Sequence, residues 1–271
     1  MNIVILKPTV NIFSGRFFFQ CIELLIEFIK KDLKAKYRNL FLGIFWVVLQ
    51  PLLLAIFFSL IKTGIQTHKH FIVYDYSGIY LTLIVWTFFV SAFQRSVGSI
   101  ISNYALVSKI NFPTILLPIA TVCSSFVDVF VNLGFCVCIS VVVRGKIAFN
   151  IFHFVYILLI SSIFIFAICI FISLLQCLVL EISHVVPYCT QLGLFIVPIL
   201  HDESFIPIKF KSFYDHIPFV WMVSQTKKLF SYEVNPFFSS LDIRIIVINL
   251  VFLMFVYIFY RKIREVIMDY L

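Results

Sequence analysis

The chain has 271 residues, of which 62% are hydrophobic and 13% charged, with 34 Phe and a formal net charge of +8. No single water-excluded core absorbs that much apolar surface, so a soluble globular domain is excluded and a polytopic, all-α membrane protein is the reading that remains. Much of the basic excess lies beside apolar runs, where it meets anionic head groups and orients the chain, so it does not mark a nucleic-acid binder.

In chain order, the first predicted element is an amphipathic helix over residues 16–40. Phe18, Ile22, Leu25, Ile29 and Leu33 recur at steps of three or four, while Glu23, Glu27, Lys31 and Lys34 turn elsewhere. This pattern fits a helix in the cytoplasmic head-group layer, with Glu27 and Lys31 paired on its wet face; packing against the membrane bundle is the alternative. The N-terminal region is not expected to be a cleavable signal, because the basic run follows some 30 residues of chain and no small-residue cleavage pattern lies nearby.

Residues 30–51 then read K-K-D-L-K-A-K-Y-R-N-L-F-L-G-I-F-W-V-V-L-Q-P, and no residue from Leu42 to Ile61 is charged. About 20 such residues at ~1.5 Å rise cross a hydrocarbon core of ~30 Å. Lys30, Lys31, Lys34, Lys36 and Arg38 sit close enough to this span to hold the N-terminus in the cytoplasm. Spans are predicted at about 42–61, 77–102, 112–143, 147–180, 185–200 and 245–260. Six crossings return the C-terminus to the cytoplasm, in agreement with Arg261, Lys262 and Arg264 after the last one. The whole chain reads as one transmembrane domain.

The segment 201–244 is external by parity, yet it spends Phe205, Phe210, Phe213, Phe219, Val220, Trp221 and Met222 in few residues. Two readings stay open: part of it re-enters the membrane, covered by protein or lining a water-filled cavity, or it lies flat on the outer leaflet. Tyr74, Tyr76 and Tyr80 gather at the outer end of the second span. Together with Trp221 they form either an interfacial aromatic belt or a platform on which sugar rings stack. On the inner side, S-N-Y-A-L-V-S-K-I-N-F-P over 102–113 is a short turn in which Asn103 can cap a helix and Pro113 suits the next helix's first turn.

Polar chemistry within the spans is sparse. Asp128 is the one acidic residue well inside a predicted span, and an intramembrane ionisable group is a functional candidate. Arg95 is its tempting partner, although a depth mismatch of roughly 10 Å means that a direct pair needs offset helices. The seven cysteines lack Cys-x-x-Cys spacing, and His68 and His70 read as residues of a solvated loop. No G-x-x-x-x-G-K-[ST] loop is present, so the chain is not expected to bind a nucleotide in that manner. Catalytic, cofactor and metal residues are therefore expected to be absent.

The ordered segments 30–51, W-T-F-F-V-S-A-F-Q-R at 86–95, the turn at 102–113, L-P-I-A-T-V-C-S-S-F-V-D at 117–128 and V-V-P-Y-C-T-Q-L-G-L-F-I-V-P at 185–198 cover most of the chain. Together they resemble the permease subunits of ABC-2 type exporters that move polysaccharide, O-antigen or teichoic acid across the inner membrane. The resemblance implies a homodimer working with two copies of a cytoplasmic ATPase, which would hold the ATP and Mg, and a lipid-linked polysaccharide as cargo. It also implies ATPase coupling through the N-terminal helix and the inner turn, with Arg38, Asn103, Lys109 and Asn111 as candidates. The sequence departs from the family pattern at Thr114, where a basic residue usually follows the F-P pair, and at Ile217-Pro218, where N-P is usual. Export of a small molecule or drug is the alternative within transport, and a membrane enzyme acting on polyprenyl lipids the alternative outside it.

Overall fold

The computed structural model describes residues 15–38, 40–65, 74–103, 113–145, 149–199, 206–229 and 239–270. All regular structure among them is helical: α1 (Gly15–Lys36), α2 (Leu40–Ile65), α3 (Tyr74–Val97), a single 3-10 turn (Ile101–Asn103), α4 (Leu116–Arg144), α5 (Ile151–Leu178), α6 (Ile182–Ile196), α7 (Ile208–Asp215), α8 (Pro218–Lys228) and α9 (Ser240–Tyr270). Among the described residues, five helices carry segments long and apolar enough to cross a membrane, namely Gly43–Ile61, Ser77–Val97, Leu116–Val142, Ile151–Leu178 and Ser240–Ile263. The expected span at 185–200 takes a different form. It becomes α6, whose 15 residues rise only ~22 Å, and Pro187 lies within it.

Local chemistry sets the helix ends. Gly145 adopts φ 67° after α4, and its N–H returns to the Val141 carbonyl, a left-handed stop that a side chain would strain. Asn150 then starts α5, its side chain accepting the N–H groups of Phe152 and His153. At α9, Ser239 Oγ accepts the Asp242 N–H at 3.3 Å while Asp242 accepts the Ser239 N–H at 3.1 Å, a reciprocal capping box. Pro113 does not open α4, which begins at Leu116 with Pro118 in its first turn.

α3 is the central helix, buried along most of its length from Ile79 to Ala92. α4 runs antiparallel to it, since Tyr80 bonds Asn132, Phe88 meets Phe126 and Arg95 meets Ser124. α6 is also antiparallel to α3: Gln94 donates to Thr190 at 2.8 Å, and a Cβ on Gly193 would lie 3.0 Å from the Trp86 ring. α9 lies parallel to α5. Asp242 meets Tyr156, Asn249 donates to the Ile160 carbonyl, Phe252 meets Phe164 and Phe259 meets Phe171. Between the end of α5 and the start of α9 the chain has therefore returned to the end of the bundle from which α5 began.

That return is made by α6, α7 and α8. Tyr214 of α7 donates to the Ile196 carbonyl at the end of α6, at 2.7 Å. α8 is buried from Val220 to Thr226, and Phe219 stacks on Phe89 of the central helix at 6.2 Å between ring centroids. The α8 part of the aromatic segment thus fills the bundle core, whereas Phe210 and Phe213 of α7 are exposed. Apolar side chains remain exposed along α2 and α9, as helices facing lipid or another chain require.

A charged corner and polar cleft as the candidate functional site

α1 packs against α4 through a stripe of Leu24, Leu25, Phe28 and Ile29, which joins Leu117 and Ala120 in one core cluster. Leu25 and Ile29 belong to the predicted stripe, whereas Ile22 of that stripe is exposed, as are Phe19 and Ile26. Glu27 pairs with Lys30 at 2.7 Å, not with Lys31, whose ammonium donates instead to Asn103 Oδ1 at 2.5 Å. One residue on, Asp32 meets Arg95 at 3.5 Å, and one turn later Lys36 pairs with Asp128. Tyr37 donates its hydroxyl to the other Asp128 oxygen at 2.5 Å. As α1 advances from Phe28 to Lys36, its partners on α4 advance from Leu117 to Asp128, so the two helices run side by side in the same direction.

The anticipated Arg95–Asp128 pair is not formed. Arg95 reaches Ser124 at 3.0 Å, Ser125 at 3.5 Å and Asp32, about one helical turn short of Asp128. The depth mismatch is real, and α1 supplies the counter-charge for each residue. Burial pulls the Lys36 ammonium below its ordinary range, opposed by its bond to Asp128. Burial likewise raises Tyr37, with the Asp128 bond adding to it, and raises Asp32 against the lowering pull of Arg95 and Lys31. Because a buried charge without its partner is costly, any slide of α1 along α4 is penalised at two ion pairs together.

The chain turns from α1 into α2 at Tyr37 and Arg38, and the turn is tight. A Cβ on Gly43 would lie 3.2 Å from the Lys36 carbonyl oxygen and 3.3 Å from the Tyr37 Cα, closer than most side chains come to backbone. Beside this corner, a cleft of about 650 Å³ opens between α2, α3 and α4. Arg38, Trp46 and Gln50 are exposed at its mouth; Asp128 and Asn132 are buried at its back; Thr87, Ser91 and Gln94 line the α3 wall. Val47 and Pro51 also line it, and Pro51 lacks the N–H that would have bonded the Val47 carbonyl.

Of the residues singled out from sequence, Arg38, Asn103, Arg95 and Asp128 gather around this corner and the adjoining 3-10 turn. Lys109, Asn111, His68 and His70 lie outside the described residues, as do the side chains of Tyr74 and Tyr76. Tyr80 and Trp221 do not form a surface platform. Tyr80 is buried and bonds Asn132 at 2.9 Å, while Trp221 is buried and donates its indole N–H to Asp242 at 3.0 Å. Both rings fill core space between helices, and their polar tips satisfy buried partners.

Sequence reasoning read Lys36 as an orienting charge and Tyr37 as part of the family-like segment 30–51, without a partner for either, and passed over Asp32 and Asp242. The last carried a readable signal, since Ser-x-x-Asp before an apolar run is the capping-box pattern. Asp242 accepts from Tyr156, Trp221 and the Ser239 N–H, so it anchors α5, α8 and α9 at one point.

Residues 23–230, from the middle of α1 through α8, match the family described as ABC-2 type transporter. The chain is 27% identical over 224 residues to an O-antigen export system permease protein RfbA of Klebsiella pneumoniae, covering 77% of this chain and 80% of that protein. A protein of the same name from Myxococcus xanthus is 24% identical over 185 residues, covering 68% of this chain and 70% of its own length. The matched region holds the corner, the cleft, the inner turn and the broken α6–α8 segment; this chain belongs to the ABC-2 type transporter family.

Proposed function

We propose that this chain is the permease subunit of an ATP-driven exporter that carries a lipid-linked polysaccharide from the cytoplasm across the inner membrane. The observation that carries the reading is its similarity, over more than two thirds of both lengths, to proteins named as O-antigen export permeases. ATP and Mg belong to a separate cytoplasmic ATPase, present in two copies beside two copies of this chain. The contacts Lys31–Asn103, Asp32–Arg95 and Lys36–Asp128 support a coupling role for α1 and the inner turn. Movement imposed on the turn by the ATPase reaches α1, and through two ion pairs it reaches the bundle.

The parallel register of α5 and α9 supports six crossings, the fifth made jointly by α6 and the re-entrant pair α7–α8, with both termini cytoplasmic. α1 then packs lengthwise on the cytoplasmic half of α4, one stripe against it and Phe19, Ile22 and Ile26 turned outward. Deleting the gene should remove a surface polysaccharide and accumulate it in the cytoplasm, and an ATPase should co-purify with the chain in mild detergent. Normal surface polysaccharide in the deletion strain would refute the assignment.

A further inference from the structure

We infer that the cleft between α2, α3 and α4 is a saccharide-binding site that holds sugar units of the exported polymer; this rests on the export function proposed above. The cleft, about 650 Å³, falls within the ~300–1,000 Å³ of ordinary small-molecule sites. Its walls belong to helices that cross the membrane, where polar side chains are costly and mark ligand pathways. Three of the lining side chains, Gln50, Gln94 and Asn132, are amides. An amide offers donors and acceptors on one planar group, as neighbouring sugar hydroxyls do, and lipid tails offer neither.

Two of these amides are held in place from behind. Asn132 accepts from Tyr80 and donates to the Asp128 carbonyl, and Gln94 donates to Thr190, each keeping hydrogen-bonding capacity in reserve. The charge pattern selects against a phosphate at the back of the cleft. Asp128 is the carboxylate there, and Lys36 and Tyr37 already satisfy it, so the interior presents dipoles, with the Arg38 guanidinium confined to the mouth. Trp46, exposed at the mouth, supplies a flat apolar face for the C–H side of a pyranose ring.

The test uses the chain with its ATPase, purified from a gene-deletion strain carrying each variant. Binding is measured by titration calorimetry with lipid-free surface polysaccharide from the same cells as one probe and inorganic pyrophosphate as the other. The wild type should bind the polysaccharide without competition from pyrophosphate, and Gln50→Leu should weaken binding at least tenfold. Ser91→Trp, which fills the cleft, should abolish binding and export and leave polymer in the cytoplasm. Trp46→Tyr should retain export that Trp46→Ala loses. Should Ser91→Trp fail to reach the membrane, Gln50→Leu at the exposed mouth carries the same test. Normal export by Gln50→Leu, Trp46→Ala and any membrane-inserted Ser91→Trp overturns the cleft assignment alone, and displacement of the polysaccharide by pyrophosphate turns it into a phosphate site. A deletion strain with unchanged surface polysaccharide overturns the export function beneath it.

Discussion

Asp128 sits on a membrane-crossing helix and keeps its charge compatible with burial by taking two donors from outside that helix, Lys36 and Tyr37. Removing the carboxylate leaves a half-buried ammonium without its partner, so Asp128→Asn should destabilise the folded chain by on the order of 3 kcal/mol. The double variant Lys36→Met with Asp128→Leu should cost less than the sum of its singles, because the second change removes the orphaned charge. Thermal unfolding in detergent measures both, and strict additivity would deny the pair any coupling. Asp32 responds to pH in a defined direction. Burial raises its carboxyl above its ordinary range, so the folded chain holds that proton more tightly than the unfolded chain. Its contribution to stability is therefore fully present in acid and lost as pH rises through its folded titration. Between about pH 7 and pH 4 the wild type should gain stability relative to Asp32→Asn; a difference independent of pH would contradict the shift.

At the scale of elements, the corner between α1 and α2 leaves room at Gly43 for no more than a Cβ. Alanine there gains ~1 kcal/mol of helix propensity and loses a similar amount by pressing on the Lys36 carbonyl, so Gly43→Ala should be close to neutral in stability. Valine cannot be accommodated in the same way. Gly43→Val should displace α1 from α4 and reduce export at least tenfold while the chain still inserts in the membrane. Limited proteolysis of α1 in membrane vesicles reports the displacement, and an α1 protected as in the wild type would remove the corner from the coupling route. Gly193 makes the equivalent close approach of α6 to Trp86, so small residues set two helix contacts that apolar pattern alone does not reveal.

For the whole molecule, the crossing number is decided by α6, α7 and α8 acting together. Alone, α6 is too short for a ~30 Å core, and α8 adds ~17 Å within the bundle. If these pieces jointly complete one crossing, both chain ends lie on the same side. Alkaline phosphatase fused after Leu271 should then be inactive and a fluorescent protein at that position bright, as for N-terminal fusions. An active phosphatase at the C-terminus would mean five crossings and would reverse the placement of α9.

Composition and hydropathy determined the class of this protein, because lipid enforces long uncharged helices with no regard to how they pair. Five spans, the helix before the first of them and the weight of the segment around Trp221 were legible for that reason. The partners of the charges were not. Asp128 and Arg95 are both visible in the sequence, but whether they meet depends on the relative depth of α3 and α4, and the answer came from α1, which reaches over both. Aromatic residues were equally ambiguous: Tyr80 and Trp221 look the same in sequence at a head-group belt, on a sugar platform or in a core, and only the helices around them put both in the core. Membrane insertion is determined one segment at a time and so can be read along the chain, whereas ion pairs and clefts arise between segments distant in sequence and exist only once the helices have packed.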